Sequence, residues 1–259
     1  MNSNSEKKSY SPATTVKKAL RILEVLGESQ ALKPVELSTR LGLTLSNAHR
    51  LLATLAQMGY VEKGPDGRFR LSLKVFALGS RVSLRNMLAD VAYPHMVQLA
   101  KICQENVNLG IIFEEKVLYI EKIESYQILR LDQPVGSSDP LYCTGLGKVL
   151  LAGLSENELD NYLKTVDLLP LTKNTITEPE KLKKHIRKIR QQGFATDFEE
   201  LSEGIHCLAA PIRKHIDKIT AALSISAPSI RMPRKKLDRL KNEIIAASEC
   251  ISKELDFGN

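Results

Sequence analysis

Apolar residues recur at the spacing of an α-helix three times in the first sixty positions, and the pattern then changes to alternation. The helical spacing predicts helices over about 15–26, 34–42 and 44–60, with Gly42 permitting a tight turn before the third. Alternation over 60–74, around the turn sequence GPDG, predicts two strands joined by a hairpin. Two helices, a glycine-containing turn and a hairpin are the parts of a winged helix-turn-helix.

The same spacing predicts which side chains of these helices face the core. Those of the first helix are Val16, Leu20, Leu23 and Leu26. Those of the third are Ala48, Leu51, Leu52, Leu55 and Met58.

Beyond residue 72 the pattern mixes helices with strands. A helical segment over 72–93, interrupted at Gly79, precedes Pro94, which permits a boundary. Strand patterns then cover 107–124 as a hairpin, 128–132, 205–213 and 218–228, and helical patterns cover 145–154, 155–166, 178–193 and 233–255. The order predicts an α+β domain with an antiparallel sheet rather than a βαβ repeat. We therefore expect three regions: a winged helix-turn-helix over 1–74, a linker helix over 75–94 and a ligand-binding domain over 95–259.

Charge divides the chain at the same place. The net charge of its 259 residues is +7. Residues 1–95 carry 14 Lys and Arg against 7 Asp and Glu, whereas the remainder carries 23 of each. A basic module joined to a neutral one predicts that the first binds a polyanion, here double-stranded DNA.

Composition excludes several other classes of protein. The four cysteines are far apart and none lies at metal-ligand spacing, so we expect neither a disulfide framework nor a zinc site, and no cofactor. No apolar run approaches the roughly 20 residues that span a bilayer, and the polar N-terminal sequence lacks the apolar core of a signal peptide. We therefore expect a cytoplasmic protein without membrane contact.

The third helix and the hairpin supply the candidate DNA contacts. The N-terminal half of such a helix reaches base edges, and Asn and Arg suit adenine and guanine edges. Arg68 and Arg70 alternate with apolar residues along the hairpin, which predicts that both face phosphate or the minor groove. The candidate contacts are Thr44, Ser46, Asn47, His49, Arg50, Arg68 and Arg70.

The second domain has three polar features. TGLGK (144–148) lacks the Gly and the Ser or Thr of a phosphate loop, at Tyr142 and Val149, but its glycines open a helix whose amides can bind a small anion. A stretch with Asp197, Glu199, Glu200 and Glu203 precedes Cys207; metal binding and acid–base catalysis are alternatives there, although His206 should point away from Cys207. Ser224 and Ser226 alternate in an apolar strand, which suits a polar ligand pocket or bonding within the strand.

Five segments in this order resemble regulators of the IclR family over nearly the whole chain. They are NAHRLLATLAQMGYVE, RFRLSLKVFALG, PLYCTGLGKVLLA, TDFEELSEGIHCLAAPI and ALSISAP. The sequences PLYCTGLGKVLLA and LSISAP are most similar to those of the branch that regulates pectin and uronate breakdown.

The resemblance implies a winged helix followed by a GAF/PAS-like effector domain, in dimers or dimers of dimers on palindromic operators. It also implies a pocket for a small oxo-acid or sugar acid. The pocket positions that it implies are Ile128, Gly145, Leu146, Asp197, Cys207, Ser224 and Ser226. Leu146 is larger than the residue of some members and would change the pocket size.

The expected function is a transcriptional regulator of a catabolic operon, a repressor controlled by a small anionic metabolite. An activator of the same kind is one alternative. A second is an enzyme acting on a small carboxylate, with Asp197, Cys207 or Glu199 as the catalyst, although no nucleophile has a visible base partner. A third is a protein-interaction module that uses the winged helix as its docking surface.

Overall fold

A computed structural model describes residues 13–29, 31–81, 83–129, 133–214 and 218–257, with the side chains of 83–87 and 257 excepted. The chain divides into two units, Met1–Ser83 and Leu84–Asn259.

The first unit is a winged helix-turn-helix. Its helices are α1 (Thr14–Gly27), α2 (Pro34–Leu41), α3 (Leu45–Gln57) and α4 (Leu73–Gly79), and its strands are β1 (Val61–Lys63) and β2 (Phe69–Leu71). Gly42 ends α2 with φ of 61°, a left-handed conformation that glycine adopts without strain. The two strands pair antiparallel, with Glu62 opposite Arg70. The predicted motif is confirmed.

Two predicted core residues of α1, and one of α3, are exposed instead. Val16, Leu20 and Met58 have exposed fractions of 57%, 54% and 53%. The α1 sequence offers two neighbouring apolar stripes, and the unit buries the one that contains Ile22 and Leu26. Met58 lies beyond the last turn of α3, where the helical stripe has ended.

The second unit is built on one antiparallel sheet. Its strands are β3 (Asn106–Phe113), β4 (Lys116–Ile123), β5 (Ser138–Pro140), β6 (Ala195–Phe198), β7 (Ile205–Lys214) and β8 (Lys218–Pro228). Within the described residues their spatial order is β5-β4-β3-β8-β7-β6. The predicted α+β class with an antiparallel sheet is confirmed.

Helices cover both faces of this sheet. They are α5 (Ser83–Cys103), α6 (Gly145–Ala152), α7 (Glu156–Thr165), α8 (Pro179–Gln192) and α9 (Arg234–Phe257). One core packs α5 and α9 against side chains such as Leu223 and Ile225 of β8. The other packs α6, α7 and α8 against the opposite face, where Ala209 and Ala222 leave room for α6. The face beneath α6 is the one that carries Ser224 and Ser226.

Two elements differ from the sequence expectation. The helix before the sheet does not end near Pro94 but continues to Cys103, because Ala92, Met96 and Leu99 are buried against the sheet and hold it helical. The predicted strand over 128–132 is wrong at Ile128 and Leu129, which lie in a bend, while 130–132 lie outside the described residues. Neither Ile128 nor Leu129 pairs with a neighbouring strand, so no strand forms there.

Candidate functional site

The exposed N-terminal half of α3 carries the candidate base-reading side chains. Ser46, His49 and Arg50 are exposed and Asn47 is half-buried, whereas Ala48 is buried on the opposite face. The helix begins there because the Thr44 hydroxyl accepts a hydrogen bond from the Asn47 amide at 3.3 Å. Arg50 Nη2 donates to Asn47 Oδ1 at 3.4 Å, so the two side chains lie together. This side of the helix offers both donors and acceptors to a partner.

The two arginines of the hairpin differ in their surroundings. Arg68 Nη1 donates to the Ala31 carbonyl and to Glu36 Oε2, both at 3.3 Å, which ties the hairpin to the start of α2. Arg70 lies on β2 and pairs with Glu62 at 2.6 Å, with 59% of its side chain exposed. Exposed pairs of this kind contribute little to stability, so Arg70 can exchange Glu62 for another anion.

The second unit contains a cavity of about 120 Å³ between the sheet and the start of α6. At roughly 10–15 Å³ for each water-sized group, this space holds about ten non-hydrogen atoms. Its lining residues are Asn108, Tyr119, Gln133, Asp139, Thr144, Gly145, Leu146, Asp197, Leu201, Ser202, Ile205, Cys207, Ser224 and Ser226. Six of the seven predicted effector residues are therefore brought together, from α6, β6, β7 and β8.

Ile128 is the predicted effector residue that the structure does not bring to the cavity. It lies in the bend after β4, and its side chain is fully exposed. The acidic side chains of 197–203 do not all come together at the cavity. Asp197 on β6 lines it, whereas Glu203 is exposed. His206 faces away from the cavity, with Nδ1 2.9 Å from the Met232 carbonyl, as the strand alternation predicts.

The start of α6 presents backbone amides to the cavity. The Thr144 hydroxyl accepts from the Gly147 amide at 2.9 Å, and the first amides of the helix, at Gly145 and Leu146, have no acceptor within the helix. Gly147 allows α6 to approach the backbone of Leu141, since an added Cβ would lie 2.2 Å from the Leu141 carbonyl oxygen. A helix N-terminus with free amides favours an anion.

A chain of hydrogen bonds crosses the floor of the cavity. Asn108 Nδ2 donates to Ser224 Oγ at 3.4 Å and to Ser226 Oγ at 3.3 Å. Cys207 on β7 lies between these serines and the acidic side of the site, opposite Ser226 of β8 and opposite Asp197 of β6. Burial and the neighbouring carboxylate raise the pKa of Cys207 well above its usual range. A protonated thiol is a poor nucleophile, which disfavours Cys207 as a catalyst.

A buried pair of opposite charges, Lys148 and Glu200, lies next to Asp197. Lys148, which is fully buried on α6, donates to the Thr196 carbonyl at 2.6 Å and pairs with Glu200. The Glu200 amide donates to Asp197 Oδ1 at 2.8 Å. Burial raises the pKa of Asp197 and of Glu200, while Lys148 opposes the shift in both. Burial thus favours the neutral forms of Asp197 and Glu200, whereas the positive charge of Lys148 favours their ionised forms.

A second polar group closes the other side of the cavity. Asp139 on β5 accepts hydrogen bonds from the Tyr119 hydroxyl at 2.9 Å and from Gln133 Nε2 at 2.5 Å. Burial raises the pKa of Asp139, and the Tyr119 hydrogen bond opposes that shift. Both walls of the cavity thus hold carboxylates at fixed positions.

Sequence reasoning did not identify Asn108, Tyr119, Asp139 or Lys148. Asn108 had a usable signal, because an amide in the middle of the apolar run VNLGIIF of β3 is unusual. Asp139 had none, because β5 is three residues long and its position follows only from pairing with β4.

The described residues offer neither a metal site nor a membrane-spanning helix. Within the described part of the chain, no three His, Cys, Asp or Glu side chains come together in a way that could hold a metal ion. All four cysteines are free thiols. Among the described helices none is both long and apolar enough to cross a membrane.

Comparison with known proteins gives matches to both units. The family profile described as IclR helix-turn-helix domain matches residues 15–65, and that described as bacterial transcriptional regulator IclR C-terminal matches residues 81–253. The HTH-type transcriptional regulator KdgR of Escherichia coli (strain K12) is 34% identical over 245 residues, which are 94% of this chain and 93% of that protein.

Two further proteins extend this likeness. The transcriptional repressor IclR of Escherichia coli (strain K12) is 30% identical over 247 residues, covering 92% of this chain and 90% of that protein. The crystal structure of the Thermotoga maritima IclR is 33% identical with a TM-score of 0.76, covering 93% of this chain and 98% of that chain. In both sequence and fold, the chain is therefore similar to these regulators over both of its units.

Proposed function

The chain belongs to the IclR family of bacterial transcriptional regulators, and from this premise we propose that it represses a catabolic operon until a small carboxylate occupies its cavity. The chain is a DNA-binding regulator and not an enzyme: its relatives are named as regulators over most of its length. The observation that carries the proposal is the cavity at the start of α6, which joins free amides to buried polar side chains.

For the DNA contact, we propose that Ser46, Asn47 and Arg50 read bases in the major groove. All three lie on the accessible side of α3, and Arg50 and Asn47 suit guanine and adenine edges. Thr44, His49 and Arg70 are placed to contact the DNA backbone, while Arg68 positions the hairpin through Glu36. The excess positive charge of residues 1–95 adds the attraction to phosphate that does not depend on sequence.

Replacing Arg50 tests the base-reading helix. Because a bidentate contact to a base contributes roughly 1–3 kcal/mol of discrimination, we expect Arg50→Ala to weaken binding to the operator by about ten- to a hundredfold. Binding to unrelated duplex should change much less. A gel-shift titration of both duplexes at one salt concentration measures the ratio.

A matched variant controls for the lost charge. Arg187 is an exposed arginine of α8 that pairs with Glu156, and Arg187→Ala removes the same charge from the second unit. We expect this variant to bind operator as the unaltered protein does. Retained operator preference in Arg50→Ala would contradict the assignment of α3 as the base-reading helix.

For the effector, we propose a carboxylate at the Gly145 and Leu146 amides, with the remainder of the molecule against Asp197, Cys207, Ser224 and Ser226. The helix N-terminus supplies the favourable charge, and the buried serine hydroxyls and the half-buried Cys207 thiol supply directional hydrogen bonds. The cavity volume limits the ligand to about ten non-hydrogen atoms.

Removing one hydroxyl tests this site. Ser224 is buried at the cavity, and Ser224→Ala should weaken effector binding about ten- to thirtyfold, because one hydrogen bond to the ligand is lost. Isothermal titration calorimetry with a panel of small sugar acids and oxo-acids measures this loss. Ser248→Ala is the control, since Ser248 is an equally buried hydroxyl on α9 that bonds the Ile245 carbonyl outside the cavity. Equal affinities in both variants would place the effector elsewhere.

We further propose that the protein acts in the cytoplasm as a dimer, or as a dimer of dimers, on a palindromic operator. Leu73, Phe76 and Leu78 of α4 have exposed fractions of 85%, 66% and 57%, an apolar surface that a second copy of the chain would cover. The effector controls such an assembly only if it binds one arrangement of the dimer better than the other.

A further inference from the structure

We propose that Asn108 selects effectors that carry a hydroxyl group, an inference that rests on the proposed carboxylate effector of the same cavity. Asn108 lies on β3, lines the cavity and is 3% exposed. Its carboxamide oxygen, Oδ1, has no hydrogen-bond partner among the described residues. A buried amide oxygen without a donor is a polar group that only a ligand or a water molecule can satisfy.

The neighbours of Asn108 determine which of its amide atoms is left over. Asn108 Nδ2 donates to Ser224 Oγ at 3.4 Å and to Ser226 Oγ at 3.3 Å, which uses both protons of the amide nitrogen and places it between the two serines. The carboxamide oxygen is consequently the atom that remains for a ligand.

The hydrogen-bonding groups around the cavity therefore fall into two kinds. The Gly145 and Leu146 amides donate at one end, where a carboxylate fits. Asn108 Oδ1 and the carboxylate of Asp139 accept along the walls. An acceptor wall favours a ligand hydroxyl, which can donate, over a carbonyl or a methylene group, which cannot.

The chemical class that satisfies both ends is a hydroxy acid. An analogue without the hydroxyl leaves Asn108 Oδ1 buried and unpaired, and one unpaired buried group corresponds to about ten- to a hundredfold in affinity. A simple oxo-acid has the same defect, because its carbonyl oxygen meets another acceptor. Asn108 thus discriminates between ligands of equal size and charge.

The first experiment needs no substitution. D-Erythronate carries a hydroxyl on every carbon beyond its carboxylate and is small enough for the cavity, so one of them reaches Asn108, whereas butyrate has the same carbon chain and charge with no hydroxyl. Calorimetric titration of the full-length protein should give at least tenfold tighter binding of D-erythronate. Equal affinities, or tighter binding of butyrate, would overturn the inference while leaving a carboxylate effector in place. Binding of neither acid would contradict the carboxylate proposal and this inference with it.

Two substitutions then assign the selectivity to Asn108. Asn108→Leu removes the acceptor at similar size, and we expect the ratio of the two affinities to fall to within about twofold of unity. Asn108→Asp keeps an acceptor but adds a negative charge, so both acids should bind more weakly with the preference for D-erythronate retained. A residue that only supports the fold would weaken both acids equally in either variant and leave their ratio unchanged, which would overturn the inference.

Asn161→Ala provides the control for loss of an amide side chain. Asn161 is exposed on α7 and does not line the cavity. Its ratio of affinities should equal that of the unaltered protein. A change of ratio in this variant equal to that in Asn108→Leu would show that the selectivity does not come from Asn108.

Discussion

At the scale of single residues, the cavity of the second unit is formed by polar groups that are costly to bury. Asp197 and Lys148 are 2% and 0% exposed, and the pKa of Asp197 is raised in the folded protein. A carboxylate with a raised folded-state pKa adds stability below its unfolded pKa, near 4, and loses that contribution as pH rises through the folded value. Asp197 therefore lowers stability at neutral pH, which is consistent with a residue kept for binding.

Asp197→Asn should remove this pH dependence. The amide keeps an oxygen that can accept from Glu200, but it carries no charge to bury. We expect the free energy of unfolding at pH 8 to rise by about 1 kcal/mol, or roughly 2–4 °C in melting temperature, with a smaller difference at pH 5. Thermal unfolding followed by circular dichroism at both pH values measures this effect.

The exposed carboxylate Asp167 provides the control, since Asp167→Asn should leave the pH profile unchanged. A lower melting temperature for Asp197→Asn at pH 8 would show that attraction to Lys148 outweighs the cost of burying the charge.

At the scale of elements, local sequence determined features such as the start of α7. Tertiary contacts determined others, such as the strand β6 and the length of α5. Ser155 and Glu158 form a capping box at the start of α7, because both partners lie within three residues. β6 was not predicted, because its four residues carry no strand pattern and form a strand only by pairing with β7, where Asp197 lies opposite Cys207. Pro94 remains inside α5 for the same reason, since packing against the sheet outweighs the lost hydrogen bond.

Gly147→Ala tests the close approach of α6 to the strand side of the cavity. The added Cβ would lie 2.2 Å from the Leu141 oxygen, and backbone at both ends of this contact cannot move freely. We expect a loss of at least about 2 kcal/mol in the free energy of unfolding. Urea denaturation measures it.

Gly79→Ala is the matched control, because nothing lies within 4 Å of the added Cβ at the end of α4. Alanine there should be neutral or slightly stabilising. Equal stability of the two variants would show that α6 can shift away from Leu141 without cost.

At the scale of the whole molecule, the two units differ in charge and in the feature that each carries, the winged helix or the cavity. All of the excess positive charge lies in residues 1–95, with the winged helix, and the remaining residues are neutral in sum. The cavity lies wholly within the second unit, so the proposed effector site and the proposed base-reading helix share no residue. Substitutions can therefore separate the two functions, as the Arg50 and Ser224 experiments require.

The sequence by itself determined the helix-turn-helix, the sheet class and the family, because periodicity, capping and charge are properties of neighbouring residues. It also named six residues of the cavity, although a resemblance supplied them and local pattern alone did not. Only the tertiary structure decided which apolar stripe of α1 is buried, that Ile128 lies outside the cavity, and that Asn108 faces the paired serines. These depend on contacts between residues far apart in the chain, and Asn108 and Ser226, 118 positions apart, meet only when β3 and β8 pair.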